Sequence, residues 1–307
     1  MKQAVIDIGS NSIRLTLYET QGQNFQILFR EKIMAGLAGY VEKGALNSEG
    51  IECACSGLLT FRGILQTLQI DSVRVFATAS LRNISNTREA VTVIRAATGY
   101  RVEILSGEEE ALLGYTGAMQ ELHLSSGAFM DIGGASTEIV TFDRGIPIDY
   151  TSFPIGSLSL YRQCVKKVLP GEGSLKRMHQ EIRRVIPEDP ARFDARPLLV
   201  GVGGTARAAL KLTKHRFGAS EDCRTLSAGR LDDLCSFLCS GKKAAIDLIL
   251  RLEAERIHTL IPGLLILQHV FHAFHAGQLV IGKYGVREGY LCQKILTSPI
   301  NTPKTGN

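Results

Sequence analysis

Short apolar runs separated by turn residues open the chain and predict β-strands. Three such runs follow one another closely: AVIDIG, IRLTLYE and NFQILFREK. The next segment, SEGIECACSGLLTFRGILQTL, has apolar residues three and four positions apart and predicts a helix. VRVFATAS then returns to the strand pattern. Because strands alternate with helices, the pattern favours an α/β fold.

The alternation continues through the middle of the chain and brings back the opening motif. RVEILS predicts a strand, GEEEALLGYTGAMQEL a helix and GAFMDIGG another strand. DIGGASTEI at 131–139 matches DIGSNSIRL at 7–15 in Asp, Ile, Gly and the second Ser. The offset is nearly half of the 307 residues, so we interpret the repeat as a duplication. We predict two similar domains, residues 1–122 and 123–307, that face each other.

Composition narrows the class of protein. Hydrophobic residues make up 45% of the chain and charged residues 21%, as in ordinary soluble globular proteins. No segment has the pattern of an export signal or a membrane span, so we expect a cytoplasmic protein without a membrane partner. Seven cysteines without a CxxC pair indicate reduced thiols rather than disulfides or a zinc site. The net charge of +5 is scattered, which argues against a nucleic-acid partner and is compatible with an anionic substrate.

The two matching loops have the residue types of a phosphate site. Small and polar residues at a tight turn between strands leave backbone N–H groups and hydroxyls free to bind an anion. The first loop provides Gly9, Ser10, Asn11 and Ser12. Asp7 and Asp131 precede the loops, and a carboxylate repels phosphate unless a divalent cation lies between them. The residues therefore predict phosphate binding with Mg²⁺ or another divalent cation.

Seven segments in chain order resemble the signature segments of the exopolyphosphatase and guanosine pentaphosphate phosphohydrolase (Ppx/GppA) family. They are VIDIGSNSIRL, FATASLRNISN, ILSGEEEALLGY, FMDIGGASTEIV, SFPIGSLSLY, LVGVGGTARAAL and YGVREGYL. The resemblance covers essentially the whole chain and corresponds to a short, two-domain form. It implies the actin/hexokinase/Hsp70-like fold, in which two ribonuclease-H-like domains face each other across a cleft. It also implies that the last helix, at about 285–297, packs back on the first domain.

The resemblance also implies roles for individual residues. Glu109 becomes the catalytic carboxylate that activates water, and Arg82 a contact to the substrate. From the residues alone, Glu108 to Glu110 are a solvated helix start favoured by the helix dipole. Glu138 joins Asp131 as a metal or water partner. The phosphate-binding set is extended by Gly133, Gly134, Ser136, Thr137, Gly203 and Gly204.

Ala135 departs from the family pattern, which has a third glycine at that position. If the loop needed a positive φ there, alanine would strain it.

The expected activity is Mg²⁺-dependent exopolyphosphatase, with direct attack of water on the terminal phosphoryl group of inorganic polyphosphate. A guanosine pentaphosphate 5′-phosphohydrolase would use the same loops but need a base pocket, and a kinase of the same fold would need ATP. The alternative from another class is a non-catalytic polyphosphate or nucleotide sensor. Four acids near a polyanion argue against a pure binder. A homodimer is compatible with the sequence.

Overall fold

The computed structural model of the chain describes residues 1–189 and 193–297. The first half contains strands β1 (Lys2–Ile8), β2 (Ile13–Gln21), β3 (Asn24–Ile33), β4 (Val41–Glu42), β5 (Ala45–Leu46), β6 (Val73–Ala77) and β7 (Val102–Ile104). β4 and β5 pair with each other, and the other five form one sheet in the order β3-β2-β1-β6-β7. β1 is antiparallel to β2 and parallel to β6.

The second half repeats this topology. Its strands are β8 (Gly127–Ile132), β9 (Thr137–Asp143), β10 (Ile146–Phe153), β11 (Leu198–Val202), β12 (Thr225–Ser227) and β13 (Gln278–Ile281). They form a sheet in the order β10-β9-β8-β11-β13-β12, with β8 antiparallel to β9 and parallel to β11. Each sheet therefore starts with three antiparallel strands and adds two parallel strands beside the first, and the second sheet ends in an antiparallel edge strand, β12. The α/β fold class of two ribonuclease-H-like units across a cleft is confirmed.

Helices cover both sheets. In chain order they are α1 (Ser48–Thr67), α2 (Ala79–Arg82), α3 (Thr87–Thr98), α4 (Gly107–Leu122), α5 (Ser157–Cys164), α6 (Glu172–Val185), α7 (Gly203–Phe217), α8 (Ala228–Cys239), α9 (Lys243–Glu253), α10 (Leu260–Ala273) and α11 (Val286–Tyr290). Short 3₁₀ turns lie at Leu37–Tyr40 and Ala254–Arg256, and a π-helical turn at Leu291–Leu296 continues α11. None of the helices in the described ranges is long and apolar enough to cross a membrane.

Two large cores follow from the burial of the strands. β1 is buried along nearly its whole length because both of its faces are covered, as is usual for the central strand of a sheet flanked by helices. One core lies between the first sheet and α1 and α3, and the other joins the second sheet to the helices from α5 to α10.

Helix α11 links the end of the described chain to the first sheet. It packs tightly on α4. A Cβ atom added at Gly117 of α4 would overlap backbone atoms at the start of α11, and one added at Gly289 of α11 would overlap backbone atoms of α4. Tyr290 stacks on Phe76 of β6, with ring centroids 4.8 Å apart. Helix α4 itself packs against β8, β9 and β10 of the second sheet. The division of the chain at residue 122 stays a prediction.

Candidate active site

The two matching loops fold into the same turn. In the first loop the Gly9 N–H donates to the Ser12 carbonyl at 3.1 Å, between β1 and β2. In the second, the Gly133 N–H donates to the Ser136 carbonyl at 2.9 Å, between β8 and β9. The sequence repeat is therefore also a repeat of backbone geometry. Both loops are tight turns between antiparallel strands, as predicted.

The first loop turns its N–H groups toward the cleft. The Ser10 and Asn11 carbonyls accept hydrogen bonds from the N–H groups of Ala38 and Gly36, at 3.0 and 2.9 Å. The described residues contain no cis peptide bond, and the N–H and C=O of a trans peptide unit point in opposite directions. The N–H groups of Asn11 and Ser12 therefore point away from Gly36 and Ala38. Both residues line the cleft.

The second loop is held in the same way by helix α5. The N–H of Ser157 donates to the Gly133 carbonyl at 3.0 Å, and that of Leu158 donates to the Gly134 carbonyl at 2.9 Å. The N–H groups of Gly134 and Ala135 consequently face the opposite side, where the cleft lies. Ala135 is not among the residues with a positive φ, so alanine fits this loop without backbone strain.

The loops face each other at close range. A Cβ atom at Gly134 would lie 3.2 Å from the Ser10 Cβ and 3.5 Å from the Asn11 nitrogen. Between them is a cavity of about 100 Å³, which has room for a few water molecules. Its walls include these predicted residues: Asp7, Gly9, Ser10, Asn11, Ser12, Asp131, Gly133, Gly134, Ser136, Gly203 and Gly204.

Asp7 and Asp131 lie in the cleft among arginines. Burial raises the pKa of both carboxyl groups above the ordinary value, and the charge of Arg14 opposes that rise. Gly203 has φ +78°, and a Cβ there would overlap an Asp131 carboxylate oxygen. The glycine at position 203 is therefore needed to let Asp131 reach the cleft.

Glu109, the predicted catalytic carboxylate, does not line the cleft. Its carboxylate accepts the Ser106 N–H at 2.9 Å while its own N–H donates to the Ser106 hydroxyl at 3.0 Å, which is a capping box at the start of α4. Its other oxygen accepts from Lys294 at 3.2 Å, and the side chain is 44% exposed. The Ser106 N–H bond lowers its pKa. Glu109 is an outward-facing cap and does not line the cleft.

Glu110 occupies the place predicted for Glu109. It lines the cleft, is 8% exposed and contacts an Arg82 guanidinium nitrogen at 2.8 Å. Burial raises its pKa to about 7, Arg82 opposes the rise, and the charges of Asp7 and Asp131 add to it. A carboxylate with a pKa near neutrality can accept a proton from water at physiological pH.

Arg82 does not line the cleft. One of its guanidinium nitrogens donates to both Glu110 and the Leu105 carbonyl, at 2.8 and 3.0 Å. The structure therefore shows Arg82 as the ion-pair partner of Glu110, and its contact to the substrate stays a prediction.

Two further predicted residues are buried and do not line the cleft. The Thr137 hydroxyl donates to the Ile155 carbonyl at 2.6 Å and is fully buried, so it is not a phosphate donor. Glu138 is 1% exposed and accepts from the Ser152 hydroxyl at 2.8 Å. Burial, together with the charges of Glu110 and Asp131, raises the Glu138 pKa well above its ordinary value. Glu138 is thus a buried acid beside Asp131 and Glu110, and its role as a metal or water partner stays a prediction.

Three arginines on the cleft wall were missed by the sequence reasoning. Arg14 donates to the Ser12 hydroxyl at 3.0 Å, and Arg287 to Thr16 at 2.7 Å. Arg207 projects from α7, and burial near other arginines lowers its pKa to about 10. A signal for Arg14 existed, because it lies directly across the β1–β2 ladder from Asp7.

The Asp7 and Asp131 carboxylates suit a metal ion only when substrate phosphates provide further ligands. Among the described residues, no group of three or more His, Cys, Asp or Glu side chains is arranged to hold a metal ion. Mg²⁺, however, keeps several waters and is typically held by one or two carboxylates together with substrate phosphates. Asp7 and Asp131 are hard oxygen donors beside the phosphate loops and supply such a pair.

Glycine loops, acids and arginines line a cleft between two ribonuclease-H-like units, and the named relatives of this chain are phosphoanhydride hydrolases, which is the class of this enzyme. A family model described as the Ppx/GppA phosphatase family matches residues 16–298, and the chain belongs to that family. A Haemophilus influenzae protein named "Putative exopolyphosphatase" is 28% identical over 294 residues, which are 94% of this chain and 90% of that protein.

Solved structures show the same fold. An exopolyphosphatase from Cytophaga hutchinsonii is 23% identical and has a TM-score of 0.84, with 95% of this chain and 96% of that one covered. The Aquifex aeolicus member of the Ppx/GppA family is 24% identical and has a TM-score of 0.77, with 96% and 98% covered.

Proposed function

We propose that the protein is an exopolyphosphatase that removes the terminal phosphoryl group of inorganic polyphosphate by direct attack of water. The observation that carries the proposal is Glu110, a buried carboxylate with a pKa of about 7 on the wall of a cleft between two phosphate-type loops. The name of the Haemophilus influenzae relative supports this choice of substrate.

The loops and arginines bind the terminal phosphoryl group. The N–H groups of Asn11 and Ser12 on one side, and of Gly134 and Ala135 on the other, donate to its oxygens. The guanidinium groups of the cleft offset the charge that spreads over these oxygens in the transition state. Because the donors are fixed by the turns and by α5, they need no rearrangement as the reaction proceeds.

Glu110 orients the water and takes its proton. The water oxygen forms a bond to the terminal phosphorus, the bridging P–O bond breaks, and its electron pair leaves with the shortened polyphosphate. The proton of the water passes to Glu110, which returns it to solvent as free phosphate leaves. Arg82 holds the Glu110 carboxylate in place and favours its ionised form. Removing this carboxylate should cost roughly 10² to 10⁴ in rate.

Asp7 and Asp131 would hold Mg²⁺ against the substrate. A bound Mg²⁺ neutralises phosphate charge and orients the leaving group. The two aspartates provide its protein ligands, and their raised pKa makes metal binding weaken as pH falls. We further propose a cytoplasmic location, since all seven cysteines are free thiols.

One panel of assays tests the proposal. Phosphate release is measured from long polyphosphate, tripolyphosphate and guanosine pentaphosphate, with wild type, Glu110→Gln and Glu109→Gln. We expect the highest kcat/KM on polyphosphate, a loss of roughly 10²-fold or more in Glu110→Gln and little change in Glu109→Gln.

Other outcomes would replace the proposal. Preference for guanosine pentaphosphate would make the protein a nucleotide phosphohydrolase, and transfer to a small acceptor from ATP would make it a kinase. Polyphosphate binding without any phosphate release would leave only a sensor.

A further inference from the structure

A second cavity opens beside the catalytic cleft and shares one residue with it. This α7 groove has a volume of about 550 Å³ and is lined by Arg207, Leu210, Lys211, Lys214, His215, Glu221 and Leu252. Arg207 also lines the catalytic cleft, so its side chain stands between the two cavities. The two cavities therefore adjoin at Arg207.

Cations are spaced along the groove by the helix itself. Arg207, Lys211 and Lys214 lie at positions i, i+4 and i+7 of α7, which places them on one face. With a rise of 1.5 Å per residue, this row is roughly 10 Å long and starts at the cleft. A row of positive charges that extends away from the catalytic centre matches a linear polyanion with its end held there.

The present partners of the two lysines are on the groove wall. The Lys211 ammonium group donates to the Leu252 carbonyl at 2.6 Å and to Glu253 at 3.1 Å, and its side chain is 54% exposed. The Lys214 ammonium group donates to the Glu221 carbonyl. An ammonium group has three N–H donors, so each lysine can keep a wall contact and still donate to a phosphate.

Two acids, Glu221 in the lining and Glu253 paired with Lys211, stand against three permanent cations. Leu210 and Leu252 form the apolar part of the lining, and the imidazole of His215 is the only ring among the described lining residues. A nucleoside site usually offers several converging polar groups and aromatic faces, whereas flexible lysines suit repeated phosphates as point charges. The composition of the groove therefore favours a phosphate chain over a guanosine.

We propose that the α7 groove binds the inner phosphates of long polyphosphate while the terminal phosphoryl group is in the catalytic cleft. This assignment rests on the proposed function and extends it, because the groove makes the protein prefer long chains. Tripolyphosphate is taken up by the loops and Arg207, and long chains gain the additional contacts with Lys211 and Lys214.

The test measures binding separately from hydrolysis. In a Glu110→Gln background, the dissociation constants of long polyphosphate and tripolyphosphate are determined by titration calorimetry with and without Lys211→Gln/Lys214→Gln. We expect a roughly tenfold weaker affinity for the long chain, a smaller salt dependence of that affinity, and a tripolyphosphate affinity within about twofold. The matched control removes two charges from α3 of the first half, Arg88→Gln/Arg95→Gln, and should change neither constant.

The outcomes separate the two proposals. If long polyphosphate binds equally well with and without both lysines, the groove assignment is overturned while the proposed function stands. If the affinity for guanosine pentaphosphate falls instead, the groove is a nucleoside site and the assignment is again wrong. A protein that binds no polyphosphate of any length overturns both. Equal loss on tripolyphosphate would show that the lysines support the fold or the cleft rather than a chain-length subsite.

Discussion

Arg82 offers a sharp test because the sequence and the structure give it different roles. If Arg82 clamps phosphate directly, its removal should weaken catalysis equally at every pH. If Arg82 is instead the ion-pair partner of Glu110, its removal should change the pKa of the proposed base. The two side chains are 2.8 Å apart, and only 17% of the Arg82 side chain and 10% of the Glu110 side chain are exposed. We therefore consider Arg82→Gln.

The size of the effect follows from the ion pair. Opposite charges about 4 Å apart at an effective dielectric constant of about 20 interact by about 4 kcal/mol, which corresponds to roughly three pKa units. Water and the neighbouring arginines replace part of this interaction, so we expect the Glu110 pKa to rise by about one to two units from its value of about 7. The ionised fraction at pH 7 then falls from about a half to between about a tenth and a hundredth.

The assay is the pH profile of kcat/KM for polyphosphate, which reports the pKa of the free enzyme's base. The acidic limb of the profile should move to higher pH by one to two units in Arg82→Gln, with activity partly recovered above pH 9. Arg95→Gln, at an exposed position on α3, serves as the control and should leave the limb unchanged. A uniform loss at all pH values, with the limb in its wild-type position, would refute the positioning role.

Three further predictions follow from the cleft. Gly203→Ala should abolish most activity and lower the melting temperature, because φ at position 203 is +78° and the new Cβ would overlap Asp131. Gly229→Ala is the control, since its Cβ would meet no atom within 4 Å, and it should change neither quantity. Burial raises the Glu110 pKa from 4.5 to about 7, so between these pH values the folded state binds more protons than the unfolded state. The free energy of unfolding should therefore fall by roughly 3 kcal/mol from pH 4.5 to 7. Chemical denaturation should show a smaller fall in Glu110→Gln. EDTA should abolish phosphate release and Asp131→Asn should raise the Mg²⁺ concentration needed for half-maximal rate; a rate indifferent to chelation would contradict the two-aspartate site.

Local patterns were enough to predict the α/β class and the two loops, whereas the ribonuclease-H-like fold was implied by the family resemblance. Apolar runs of strand length, broken by Gly, Ser and Asn, correspond to β1, β2, β8 and β9, and the repeated DIG motif corresponds to a repeated turn with the same internal hydrogen bond. Such features depend on neighbours within a few residues, so the sequence contains them directly.

Which of the two side chains, Glu109 or Glu110, faces the cleft depends on tertiary packing as well as on the residues next to them in the sequence. Adjacent residues on a helix point about 100° apart, and which one faces the cleft is set by how α4 packs on the second sheet and on α11. One local signal was available. Ser106 and Glu109 have the spacing of a capping box, which assigns Glu109 to the helix start and leaves Glu110 for the cleft.

Arg207 and Arg287 could not be found from local patterns. Each reaches the cleft from a helix of the second half, and Arg287 meets Thr16 of β2 across 271 positions of the chain. Contacts of this length are set by the packing of whole sheets and helices. Neither residue type nor spacing distinguishes these arginines from the exposed ones elsewhere in the chain.

At one pair of equivalent positions the duplicated loops carry residues of opposite charge type. Across its strand pair, Asp7 faces Arg14, whereas Asp131 faces Glu138 at the equivalent position of the repeat. Arg14 donates to the Ser12 hydroxyl and adds positive charge beside the first loop, while burial and the charge of Glu110 raise the pKa of Glu138 at the second loop. Two identical loops would bind phosphate symmetrically and provide no side for water. In the proposed mechanism, the positive charge of Arg14 attracts the phosphoryl oxygens toward the first loop, and the attacking water is on the side of Glu110.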